Sequence, residues 1–257
     1  MIVRDSQEAF VMIEQDHHAK LSGEMAACLK ASILPGDEFK QSVLYAIKNH
    51  DYAWKMLDKQ PFWNDHKQQP YNFTDFPNPP KTVFYKHGID EVEKQDTYAA
   101  LLCSEHYTRF LLNDSNEAAR SFVLFERQRQ ERIRQTVGAF DEERFFIHYG
   151  LLQFLDNLSL FVCLNEPGSA KQDEHPFFKD GIPVSSSLSP FLNTTKVNLR
   201  WKNEQTVIMD TSPFSRPIDI TLEQKWLPKE TVFAKGVINS YVNADMQKVP
   251  IRLTAPI

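Results

Sequence analysis

The apolar positions change period along the chain. Residues 1–13 place Ile2-Val3 and Phe10 to Ile13 on either side of a polar turn, Asp5-Ser6-Gln7-Glu8, which predicts a hairpin of two short strands. From Gln15 the period becomes helical: Leu21, Met25, Cys28 and Leu29 share one face, and His18 lies on it. Pro35-Gly36 punctuates the chain, and a second helix is predicted from about Asp37 to Leu57, with Val43, Ile47, His50 and Trp54 in one stripe.

Residues 60–88 hold Pro61, Pro70, Pro77, Pro79 and Pro80 and finish on Gly88, a composition read as excluding a continuous helix. Phe62, Trp63, Tyr71, Phe73 and Phe76 argue against disorder, so a long ordered loop over a helical core is expected, of the kind that serves as a lid or binding loop. Helices are then expected from about Asp90 to Leu112, from an N-cap region at Asp114-Ser115 to about Val137, and from about Asp141 to Leu164, where Pro167-Gly168 closes the run. The charged ERQRQERIRQ stretch of the second of these reads as a solvated face. Beyond residue 168 come short β-rich runs at 196–201, 206–209, 218–222, 231–237 and 249–253. The expected architecture is therefore mainly α: a helical domain over 1–165 with an N-terminal hairpin, and a strand-rich extension over 166–257 forming a small antiparallel sheet that the hairpin could join.

Composition narrows the partners. The chain is 42% hydrophobic and 25% charged, enough for a full core. A net charge of -5 gives no electrostatic footprint for duplex nucleic acid or an anionic membrane. MIVRDSQEAF lacks the pattern of a signal peptide, and no apolar run approaches the ~20 residues that span a bilayer. A soluble cytoplasmic protein is expected, with Cys28, Cys103 and Cys163 as reduced thiols.

The candidate chemistry lies in polar residues among apolar neighbours. His18, His50, His106 and His148 each sit near the apolar stripe of a predicted helix, and Asp156 interrupts LLQFLDNLSLF. A buried carboxylate is costly unless it is paired or binds a cation. One helix could satisfy one such group by hydrogen bonding; several doing so points to a shared ion. Imidazole and carboxylate are the ligands of Mn, Fe, Zn, Ni or Co. On one helix His50 and Asp51 would point about 100° apart and clasp a metal from one side. For His17, His66, His87 and His175 a solvated or supporting position is expected.

The segments QDHHAKLSG, KNHDYAW and LQFLDNLSL, in that order on successive helices, resemble the HD superfamily of metal-dependent phosphohydrolases. Together with SEHYTRF they look closest to an uncharacterised bacterial HD-like family of domains of unknown function, whose first segment ends His-Ala-x-Leu-Ser-Gly, as His18 to Gly23 do. That alignment selects His18 over His17. The resemblance implies an HD-like helical bundle and first ligands His18, His50, Asp51 and Asp156. It further implies Asp51 as a bridging ligand, with His106 and His148 on a second metal.

The implied activity is hydrolysis of a phosphate ester of a nucleotide or other small molecule by metal-activated water, with one or two divalent ions. Asp51 would be catalytic, and Lys55 and Arg109 are the cations sequence places near the mouth, weighed against ordinary surface charge. Two other classes fit the same residues: a di-iron oxygenase on the HD scaffold, and a non-catalytic module binding a ligand or partner through the 60–88 loop or the tail.

Overall fold

A computed structural model describes residues 1–34, 36–138 and 140–256; Pro35, half of the predicted punctuation, lies outside them. The chain begins with strands β1 (Ile2–Asp5) and β2 (Ala9–Ile13), paired antiparallel. Helices α1 (Gln15–Ala26) and α2 (Lys40–Asn49) follow, then a two-residue hairpin of β3 (Trp63–Asn64) and β4 (Gln69–Pro70). Next come α3 (Asn78–Gln95), α4 (Thr97–Leu111), α5 (Glu117–Thr136) and α6 (Glu142–Leu164). The remainder holds β5 (Ile182–Pro183), α7 (Ser189–Leu192), β6 (Lys196–Val197), β7 (Leu199–Asn203), β8 (Thr206–Met209) and β9 (Ile218–Pro228). It closes with α8 (Lys229–Lys235), α9 (Val237–Asn243) and β10 (Met246–Thr254).

The expectation of a mainly α protein is wrong. The chain is 49% helix and 19% strand, and its six main strands form one curled sheet in the order β1-β2-β9-β10-β8-β7. Both ends of the chain build that sheet. β2 pairs with the far end of β9, so the hairpin does join the strands of the tail; β8 pairs with β10 in parallel, so the sheet is neither small nor wholly antiparallel. The long strand β9 alternates buried Ile218, Ile220, Leu222 and Gln224 with more exposed neighbours, the period-two signature of a sheet with one face on a core; Leu227 falls out of that phase and joins a second cluster. Ile220, Leu222 and Ile251 share a single apolar core with Ile2, Ile13 and the helices. A smaller cluster, including Phe10, Met12, Leu227, Val237 and Tyr241, lies where α8 and α9 pack on the sheet.

Several local expectations also change. The predicted strand at 231–237 falls largely on α8: β9 stops at Pro228, which has no N–H to continue a ladder, and the helix starts there. The proline-rich segment gives way to α3 at Asn78, ten residues before Gly88. Pro79 and Pro80 occupy the first turn, where the missing N–H groups have no helical partner to lose. The single helix expected over 90–112 is two, divided at Asp96, whose carboxylate caps α4 by accepting from Ala99 N.

From Leu151 to Leu164 only Gln153 and Asn157 of α6 escape full burial. This is one helix long and apolar enough to cross a membrane, and 83% of its apolar window is buried within the fold, as in a central core helix. It supplies the axis on which the site is built.

Candidate metal centre

Asp156 lies midway along α6, and three other elements bring nitrogen and oxygen to it. Gly23 lets α1 approach α2 closely: a Cβ there would meet Lys48 Cβ at 2.8 Å and Cα at 3.1 Å. His18, five residues earlier on α1, thereby faces the end of α2. The His50-Asp51 doublet does not ride on one helix, as the sequence reading supposed. α2 ends at Asn49, His50 follows it, and Asp51 turns out of helical geometry before a short 3₁₀ segment at Tyr52–Trp54. The break directs both side chains inward.

His18 Nε2 stands 3.2 Å from Asp156 Oδ1, 3.3 Å from Asp51 Oδ2 and 3.1 Å from His50 Nε2. His50 Nε2 is 3.4 Å from Asp156 Oδ1 and 4.0 Å from Asp51 Oδ2. His106, on α4, belongs to a second grouping with His50 and Asp156, whose ligand atoms all lie within 4.8 Å of one another. All five side chains are buried.

The groups behind this cluster fix which atoms face it. His50 Nδ1 is 2.7 Å from the Ile47 carbonyl, which can only accept, so Nδ1 donates to it and Nε2 is the nitrogen turned inward. His18 Nδ1 meets Ser159 Oγ at 2.6 Å, and Ser159 in turn contacts Ser22 Oγ at 2.8 Å. This is the outer support typical of ligating histidines. Two imidazole nitrogens and two carboxylates thus converge with no resident cationic side chain except a proton on His18. Burial opposes that proton, but the hydrogen bonds His18 donates to Asp156 and Asp51 outweigh it and lift the His18 pKa to about 9. Burial alone would raise both carboxylates; contact with the histidines instead holds Asp51 below and Asp156 far below the usual range. Burial pushes His106 down to about 4, which leaves it neutral.

Without metal, this predicts a pH-dependent stability. His18 has a raised folded pKa, so its contribution is complete below its ordinary value near 6.5 and is lost as pH rises through about 9. At about 1.4 kcal/mol per pH unit between the two values, the loss is of order 3 kcal/mol. The Asp51 and Asp156 contributions run oppositely and vanish only in strong acid. Melting temperature in chelator should therefore fall between pH 6.5 and 9, and the fall should be absent in His18→Gln; an equal fall in both would refute the assignment.

His18, Asp51, His106 and Asp156 line the floor of a pocket of about 430 Å³, with His50 fully buried behind them. Trp54, Tyr85 and Tyr149 supply apolar wall, and Gln15, Gln153, Asn157 and Lys81 add polar groups. Phe73 and Thr74 come from the 60–88 segment, which is ordered by edge-to-face packing of Phe76 on Trp54, Phe62 and Tyr71.

Sequence-selected residues divide accordingly. His18, His50, Asp51, His106 and Asp156 come together. His148 does not: its Nε2 lies 3.4 Å from Asp37 and its Nδ1 2.8 Å from the Tyr98 hydroxyl, apart from the cluster. Arg109 reaches the pocket but is paired with Glu105 at 2.9 Å and lies over the Tyr149 ring. Lys55 is exposed, packs on Tyr52 and does not line the pocket. His17 turns to the sheet, where its Nε2 accepts from Glu223 N at 2.9 Å. His87 is on α3, not in a loop.

Gln15, Ser22, Lys81, Gln153, Asn157 and Ser159 were missed. Gln15 and Ser22 lie three before and four after His18, so their place on its face was readable. Gln153 and Asn157 stood out as polar residues beside Asp156. Lys81 gave no signal, because the helix carrying it was not expected.

The fold and this cluster define a mixed α/β protein with a histidine–aspartate centre, suited to a transition-metal ion, beneath an open pocket. The chain belongs to the family described as "Protein of unknown function (DUF3891)", whose model matches residues 1–229. That span includes the hairpin, every pocket residue named above, and the tail through β9. No curated protein and no solved structure gives a significant match.

Proposed function

We propose that this protein is a metal-dependent hydrolase of the HD type that cleaves a phosphate ester of a small molecule. The observation that carries the reading is the convergence of His18 Nε2, His50 Nε2, Asp51 Oδ2 and Asp156 Oδ1, at separations of 3.1–4.0 Å, with His18, Asp51 and Asp156 lining an open pocket. Two imidazoles facing two buried carboxylates suit a divalent cation, which would take the place of the proton on His18. The order of these residues along the chain is that of the HD superfamily it resembles.

A divalent ion held by these residues would polarise a phosphoryl oxygen and acidify a water molecule. The chain's own residues do the rest. His50, held by the Ile47 carbonyl, and His18, backed by Ser159, are fixed in orientation; His18 would give up its proton on binding the ion. Trp54, Tyr85 and Tyr149 exclude bulk water from the floor and strengthen electrostatic interactions there. Asn157 and Gln153, one turn apart on α6, offer amide donors and acceptors to the leaving group.

The test is metal analysis of purified wild type beside Asp51→Ala, followed by a phosphoester panel with Mn, Fe, Zn, Ni and Co. Expected are close to one tightly held ion per chain in the wild type, little in Asp51→Ala, and metal-dependent phosphate release by the wild type alone. Equal metal content in both proteins, or no release from any ester with any ion, would defeat the reading.

A further inference from the structure

Lys81 is a buried cation without a partner. It is only 8% exposed and sits in the first turn of α3, which lines the pocket through Asn78 and Lys81. Among the described residues no carboxylate oxygen lies within 4.0 Å of its ammonium, and no hydrogen bond reaches it. The two acids whose charge it feels are engaged elsewhere. Asp75 binds Lys67 Nζ and Asn72 N, both at 2.8 Å. Asp114 accepts from Asn78 Nδ2 at 2.5 Å and from Asn116 N at 2.8 Å. The stem of Lys81 is packed while its ammonium stays accessible on the pocket side, a positive charge open to an anion.

A second group in the same pocket is also left unsatisfied. Gln15 is 2% exposed, and its Oε1 has no hydrogen-bond partner. That oxygen is closed off from the pocket, so an open and unpartnered group on the wall is the Lys81 ammonium. The N-terminus of the 18-residue α3 adds positive potential beside Lys81. Arg109, the cation chosen from sequence, is already neutralised by Glu105.

We propose that Lys81 is the anion anchor of this pocket and holds the phosphate group of the substrate from the first turn of α3. The identity of the anion rests on the hydrolase reading; the unpartnered ammonium on the pocket wall does not.

The experiment titrates inorganic phosphate into full-length wild type, Lys81→Gln, Lys81→Arg and Arg109→Gln, each with manganese and in chelator, and measures manganese affinity separately. Phosphate affinity should fall roughly tenfold or more in Lys81→Gln, the size of one charge-assisted contact, and persist in Lys81→Arg. Arg109→Gln should change it little, and manganese affinity should be common to all four. Equal phosphate affinity in wild type and Lys81→Gln overturns the proposal even if manganese binds and esters are hydrolysed. If manganese fails to bind but phosphate in chelator still separates wild type from Lys81→Gln, the anchor stands and the hydrolase reading falls.

Discussion

Asp156→Ala should melt roughly 10 °C below wild type in chelator and bind manganese at least about a hundredfold more weakly. Asp156 is the one carboxylate within 3.4 Å of both His18 Nε2 and His50 Nε2, so its loss strips the cluster more completely than the loss of Asp51. Removing one member of a buried ion pair costs about 3–5 kcal/mol, and in a chain of this length each kcal/mol moves the midpoint by about 2–4 °C. For metal, even groups standing behind a ligand are worth about ten- to a hundredfold, so a direct ligand should exceed that. Hydrolysis should fall with the metal. A third consequence separates the mechanism from general damage: His18 loses its stronger partner, so the decline in metal-free stability between pH 6.5 and 9 should shrink in Asp156→Ala. Calorimetry with manganese and melting curves at the two pH values decide it. Wild-type manganese affinity in Asp156→Ala would remove Asp156 from the centre.

The parts of this site that could be read from sequence are those whose chemistry conflicts with their neighbours. Asp156 in an apolar run, and histidines on apolar helical stripes, announce themselves because burial makes them costly. The direction of a side chain at an element boundary does not. His50 and Asp51 were assigned to one helix; the ladder in fact stops at Asn49, and that break lets both face the same point. His148 met every sequence criterion that His106 met, yet it serves an Asp37–Tyr98 contact, because helical periodicity fixes a face but not what lies opposite. The sheet was misjudged for a related reason. The strands of the main sheet each had a visible run, 231–237 proved largely helical, and the hairpin was allowed to join, but the parallel pairing of β8 with β10 and the six-stranded order leave no local trace. Lys81 was hidden by a rule applied too broadly: prolines forbid a helix interior, not its first turn.

Gly88→Ala is the prediction in which fold and site are tested together. An exposed helical glycine replaced by alanine ordinarily gains about 1 kcal/mol. Here the added Cβ would fall 2.6 Å from Ala53 N, 2.7 Å from its Cα and 2.8 Å from its Cβ, closer than real contacts allow. Two of those three atoms are backbone, so no side-chain rotation relieves the overlap, and either α3 or the 51–54 turn must move. That turn is held by Trp54 N donating to the Asp51 carbonyl and by Ala53 N donating to the Tyr107 hydroxyl at 3.3 Å. Overpacking of this kind costs about 1–3 kcal/mol, which outweighs the propensity gain. Gly88→Ala should therefore melt several degrees below wild type, and, because Asp51 begins the displaced turn, its manganese affinity should drop by about tenfold although no ligand has changed. Gly36→Ala, where the new methyl group meets nothing within 4 Å, is the control and should keep wild-type affinity. A Gly88→Ala protein that melts higher and holds manganese normally would mean that α3 does not press on the turn carrying Asp51.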